Sequence, residues 1–90
     1  PSKREFYIVV LRNNPFPHMA DDILNVISNP EEKLELRIAL TEALGWFVRA
    51  YNIVEIINGC HAILDNQKDL DPQLSDELLK TINRLKEYTR

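Results

Sequence analysis

Three small groups of side chains carry the residue types from which chemistry is built. His18, Asp21 and Asp22 stand at i, i+3 and i+4, a spacing that on a helix gathers one imidazole and two carboxylates and would offer a metal ion three ligands. The competing reading, and the one adopted, is a solvated cluster at a helix start, where the helix dipole favours negative charge. Cys60 and His61 are adjacent, so on a helix they diverge by about 100° and cannot act on one another as nucleophile and base. Cys60 falls on an apolar stripe and reads as core. His61 and Asp65, at i and i+4, read as a surface pair. No ligand set converges, so no metal or cofactor is expected and the chain reads as non-catalytic.

A second set of residues suits recognition better than reaction. Trp46 follows Gly45; an indole there either anchors a partner, as large aromatics do, or fills the space between stacked helices. Glu35, Glu42 and Arg49 are each two helical turns from the next and form a thin polar line on an otherwise apolar segment. Lys80 and Arg84 lie with Asn83 and Glu87 on the polar side of the last segment. Glu35, Glu42, Trp46, Arg49, Lys80 and Arg84 are therefore the candidate partner-binding residues.

The element that must position most of them spans residues 30–50, PEEKLELRIALTEALGWFVRA. Asn29 suits an N-cap, Pro30 the first helical position, and Glu31 and Glu32 the first turn. Leu36, Leu40, Ala43, Leu44 and Phe47 share one face, and Leu34, Ile38, Ala39, Trp46 and Val48 widen it until little polar surface is left. Such a helix needs neighbours on more than one side, as the middle layer of a helical stack has.

Upstream, residues 2–13 contain the run FYIVVL. Its β-branched and aromatic residues suit a strand by propensity, but no other segment could pair with it, and a helix is expected. It is apolar nearly all round and must be covered, by the domain, by a further repeat, or by a second copy through Phe6, Ile8, Val9 and Leu11. Pro15 and Pro17 then break the chain. Residues 17–28 give an amphipathic helix with Ala20, Ile23, Leu24 and Ile27 inward, ended by Asn29-Pro30. Downstream, Asn52 and Glu55 have capping-box spacing, which places a break near Tyr51 and Asn52 and a helix over residues 53–64. Gly59 inside it costs about 1 kcal/mol relative to Ala, a cost close packing can offset. A polar connection leads to Asp71, a cap before Pro72, and a last helix over residues 72–88 that buries Leu74, Leu78, Ile82 and Leu85.

Composition narrows the partners. Ninety residues, 44% hydrophobic and 28% charged, suit one ordered domain, residues 1–90. The net charge of −3 divides into +2 over residues 1–12, +3 over 78–90 and −8 between them, and an acidic middle repels phosphate, which argues against nucleic acid. A lone cysteine excludes an internal disulfide and fits a reducing compartment, so a cytoplasmic location is favoured. No apolar run approaches the roughly 20 residues of a membrane-spanning helix.

The order short helix, Asn-Pro, long helix is repeated as short helix, Asp-Pro, long helix. The offset is 37 residues from Asn29 to Asn66 and 42 from Pro30 to Pro72, in the range of two-helix solenoid repeats. Within the first unit, Leu36-Arg37, Leu40 and Ala43-Leu44-Gly45 resemble the second-helix signature of HEAT-like repeats. The second unit keeps the apolar spacing without that signature. The resemblance implies an all-α, right-handed α-α superhelix of about five helices, the C-terminal part of a longer solenoid. It implies a structural role for Arg37, bonding between helices or repeats, and a concave side lined by the second helices of the repeats. It also implies a protein-binding or scaffold function, against the alternatives of a HEAT-like hydroxylase, base-excision enzyme or bilin lyase and of a terminal cap. Neither histidine is followed by the glutamate that the hydroxylases use for iron, and the acidic middle does not suit base excision.

Overall fold

In a computed structural model of the chain, which describes residues 16–89, four α-helices follow a short 3-10 turn at Pro17–Met19. They are α1 (Ala20–Ser28), α2 (Leu34–Leu44), α3 (Ile53–Asn66) and α4 (Pro72–Lys86), with no strand among the described residues. The helix expected over residues 2–13, and with it the self-association surface of Phe6, Ile8, Val9 and Leu11, lies outside the described residues.

The helices form from their apolar spacing. Ala20, Ile23 and Ile27 of α1, Leu40, Ala43 and Leu44 of α2, Ile53, Ile56, Ile57, Cys60 and Ile63 of α3, and Leu74, Leu78, Ile82 and Leu85 of α4 meet in one buried core. Their pairing follows a definite order. Helix α1 packs on α2 and on α3, and α4 packs on α2 and on α3, whereas α1 does not meet α4 and α2 does not meet α3. Two consecutive helix pairs thus stack side by side, α1 against α3 in one layer and α2 against α4 in the other. The smallest dimension, 18 Å, is that of two helix layers about 8–10 Å apart.

A glycine stands at each of these two stacking contacts. A Cβ on Gly59 of α3 would lie 2.6 Å from Leu24 Cδ1 of α1, and one on Gly45 would lie 3.3 Å from Thr81 Oγ1 of α4. At both positions the neighbouring side chain would have to shift to admit a Cβ, Leu24 at the first and Arg84 at the second. In the second layer Thr81 Oγ1 also donates to the Thr41 carbonyl at 2.9 Å.

Arg37 ties the layers together. It is only 7% exposed; its Nε donates to the Ile27 carbonyl at 2.7 Å and its Nη2 to Gln67 Oε1 at 3.0 Å. Gln67 Nε2 donates in turn to the Ser28 carbonyl at 2.7 Å. Ile27 and Ser28 end α1, where carbonyls lack intrahelical donors. One guanidinium and one amide therefore close the C-terminus of α1 and join it to α2 and to the end of α3.

Several boundaries differ from expectation. The middle helix does not start at Pro30: Asn29 Oδ1 accepts from the Glu31 N–H at 3.0 Å, and the Glu32 N–H returns to the Asn29 carbonyl at 3.1 Å. These bonds form a turn with Pro30 inside it, and α2 begins only at Leu34, after an extended Lys33. Nor does that helix reach Ala50. It stops at Leu44, and the chain continues through successive short turns, Trp46 N–H to Ala43, Phe47 to Leu44 and Ala50 to Phe47, which bury both Phe47 and Ala50. Asn52 precedes α3 as expected, but its side chain does not cap the helix; Nδ2 donates instead to the Pro17 carbonyl at 3.0 Å. Helix α3 runs two residues further than expected, and α4 ends two residues sooner.

Candidate functional site

The candidate residues that the structure brings together sit where α2 ends and the last two turns of α4 pass it. The missing side chain of Gly45 sets the geometry: a Cβ there would be 3.0 Å from a terminal guanidinium nitrogen of Arg84. Because that space is free, the Arg84 guanidinium lies over the Trp46 ring, 4.7 Å from its centroid. The indole is 41% exposed, so it neither fills the space between the stacked helices nor stands clear of them. It forms the edge of the α2–α4 layer with a cation on its face.

Trp46 also borders a hollow of about 160 Å³, completed by Pro17, Phe47, Val48, Arg49 and Ala50. The turns after Leu44 build it, and the bond from Asn52 to the Pro17 carbonyl draws the 3-10 turn against them. Asn52 Oδ1 is buried and has no hydrogen-bond partner among the described residues. Arg49 is exposed at the rim, and Tyr51, two residues further on, is 84% exposed. One turn beyond Arg84, Tyr88 is exposed as well. A second hollow, of about 250 Å³, lies between α1 and α3 over Gly59, with Asn25, Ser28, Asn66 and Gln67 among its lining residues.

The other candidate residues are dispersed. Arg49 leaves the line of Glu35 and Glu42, because the helix that would have aligned them ends at Leu44. Glu35 is exposed on the first turn of α2, and Lys80 is exposed on α4. Glu42 is half-buried and already engaged, so it does not lie on a bare wet stripe. Reasoning from sequence passes over Pro17, Tyr51 and Tyr88, and it gives Gly45 no role in seating Arg84. For Tyr88 a signal existed in its spacing of four from Arg84 on one helix face.

The chemical groups lie elsewhere. His18 is exposed next to the Phe16 ring, at 6.0 Å between centroids. Among the described residues no group of three or more His, Cys, Asp or Glu side chains is placed to hold a metal ion. The expected His61–Asp65 pair does not form: the two make no ion pair among the described residues, with His61 half-buried and Asp65 exposed. Cys60 is fully buried, and burial pushes its thiol up to about 12, which keeps it protonated and unreactive near neutral pH. No described helix is long and apolar enough to cross a membrane. At the end of α2 the structure places together the Trp46 indole, the Arg84 guanidinium over it and the hollow bordered by Arg49.

Compared with protein-family models, with curated proteins and with solved structures, the chain returns no match.

Proposed function

We propose that the chain is a HEAT-like helical-repeat module and serves as a non-catalytic protein-binding or scaffold unit. The pairing order carries the reading. In an up-and-down four-helix bundle the second and third helices are neighbours, whereas here α2 and α3 are apart and each helix pair stacks on the next, α1 on α3 and α2 on α4. That is the contact pattern of two solenoid repeats, and repeated stacking of this kind builds an α-α superhelix. The surface at Trp46, Arg84 and Arg49 supports the binding role, since Trp, Tyr and Arg are enriched where interfaces concentrate their energy.

A second reading, a terminal cap, has its own support in α4. Gln73, Asp76, Lys80, Asn83 and Lys86, and Glu87 just past its end, are exposed there, with Pro72 and Leu79 the exposed apolar residues, and a polar outer face is what a closing repeat needs. The two readings are compatible if α4 closes the stack while the corner at Trp46 binds.

Site-specific photo-crosslinking in the source cells separates them. A benzophenone side chain at Tyr51, beside the corner, should yield one discrete protein adduct that disappears with Arg84→Ala. The same group at Asn83, on the wet face, should yield none. Equal labelling from both positions would refute a specific binding surface and leave the cap.

A further inference from the structure

Resting on the repeat stacking of the reading above and not on its binding role, we propose that residues 2–13, which lie outside the described residues, pack as a helix on the side of α2 turned away from α4. The occupant of that side is this chain's own upstream segment, and Phe6 to Leu11 supply its apolar contact.

The two helices of one layer end differently. Thr41 and Gly45 mark the side of α2 that meets α4. At about 100° per residue, the opposite side of α2 holds Leu36, Ala39 and Ala43, with no charged residue among them. Leu36 and Ala39 are half-buried and Ala43 is fully buried. Helix α4 is the comparison, since no described helix stacks beyond it. Its side opposite Thr81 holds Asp76, Leu79, Asn83 and Lys86, all exposed. Where that layer meets water it is therefore largely polar, whereas at α2 it presents an apolar face, of a kind seldom left bare. The run FYIVVL, apolar nearly all round, needs a face of that character.

The stacking order and the chain connection place the segment there. Helices two apart in the chain stack, α1 on α3 and α2 on α4, while α2 and α3 do not meet. A helix preceding α1 falls by the same order into the layer of α2 and runs parallel to it. Pro17 borders the same hollow as Trp46 and Phe47, so the segment joins the fold beside the C-terminal end of α2. From Asn13 to Pro17 the chain reaches at most about 14 Å, little more than one helix spacing, and the far side of α4 lies beyond both α2 and α4. Length agrees as well, with twelve residues against the eleven of α2.

Charge fits the same direction. Arg4 and Arg12 bracket the apolar run about 12 Å apart on a helix, and Glu35 and Glu42 flank the α2 face about 10 Å apart. In the parallel arrangement Arg4 comes level with Glu35 and Arg12 with Glu42. The net +2 of residues 1–12 thus lies along acidic residues, and the antiparallel arrangement is excluded by the point of entry.

The test is amide hydrogen exchange, read by NMR on the intact 90-residue chain. Residues 7–11 should be protected more than about tenfold over an open chain, at a level independent of protein concentration. Ala39→Arg, on the proposed contact, should return them to open-chain rates while Ile56, Leu78 and Ile82 stay protected; Asn83→Arg, on the wet side of α4, should change nothing. A nitroxide on Ser2→Cys reports the direction, because Cys60 is buried and does not compete for the label. It should broaden the amides of Leu34 and Glu35 more than the Trp46 indole N–H. Open-chain exchange over residues 7–11, or protection that Ala39→Arg leaves intact in a folded chain, overturns the proposal. Protection that grows with concentration assigns the segment to a second copy and overturns it too. If Ala39→Arg unfolds the core, the spin label decides alone: stronger broadening at α4 or at Trp46 than at Leu34 overturns the parallel stack on α2. None of these results touches the photo-crosslink from Tyr51, so the binding reading stands or falls separately.

Discussion

Replacing Arg37 by methionine keeps most of a long buried side chain and deletes its guanidinium, which separates packing from hydrogen bonding. Two partners lose their donor, the Ile27 carbonyl at 2.7 Å and Gln67 Oε1 at 3.0 Å. The first is buried at the C-terminus of α1, where nothing within that helix can replace the bond. A hydrogen bond to a charged group contributes about 1.5–3 kcal/mol and an unsatisfied buried carbonyl costs about 1–3, while removing a desolvated charge returns part of this. We expect a net loss of about 2–4 kcal/mol, a large share of the roughly 5–10 kcal/mol that holds a domain of this size. Gln67→Ala leaves both the half-buried Ser28 carbonyl and Arg37 Nη2 without a partner and should cost about 1–2 kcal/mol. Because the two side chains share one network, the double variant should fall short of additivity by more than about 0.5 kcal/mol. Urea melts of the four proteins measure all three quantities. A loss below about 0.5 kcal/mol for Arg37→Met, or strict additivity with Gln67→Ala, would refute the view that this pair locks α1 to α2 and α3.

Gly59→Ala gains about 1 kcal/mol of helix propensity, and the methyl it sets 2.6 Å from Leu24 Cδ1 meets only the end of a half-buried side chain at the edge of a hollow, which can turn aside; the urea midpoint should hold or rise, and a loss of more than about 1 kcal/mol would show that Leu24 is locked in place. Phe47→Ala, at a side chain only 1% exposed, should cost about 3–5 kcal/mol, and Leu40→Ala about 2–5, whereas Glu35→Lys on the exposed turn of α2 should stay within about 0.5. Cys60 should react with a thiol reagent only as fast as the domain opens. Its folded value near 12 lies above the ordinary 9.0, so the unfolded chain loses its proton first as pH rises. Stability should therefore be insensitive to this group below about pH 9 and fall above it by up to about 1.4 kcal/mol per pH unit, a slope that Cys60→Ala should remove in melts taken across that range.

The sequence alone determined which residues are inside. The apolar positions of all four helices, Ile23 and Ile27, Leu40 and Leu44, Ile56 and Cys60, Leu78 and Ile82, are buried as their spacing required, because helical periodicity is a property of the chain itself. It also located Asp71 and Pro72 at a helix start, where Asp71 Oδ1 accepts from the Gln73 N–H at 2.8 Å. The same reasoning failed at Asn29 and Pro30, and the local bond is not the cause, since Asn29 Oδ1 accepts from the Glu31 N–H in the same i to i+2 manner. The two sites differ in the residues just after the proline. Leu74 is fully buried one turn into α4, so its packing fixes that first turn, whereas Glu31 and Lys33 are exposed and Glu32 and Leu34 only half-buried, and the chain stays in a turn. Tertiary structure likewise ended α2 at Leu44, where burying Phe47 and Ala50 was worth more than continuing the helix, and it laid Arg84 over Trp46 across the space that Gly45 leaves open. A short polar hydrogen bond is encoded within a few residues, but whether the backbone goes on as a helix depends on the apolar surface its neighbours offer, and those neighbours come from distant parts of the chain.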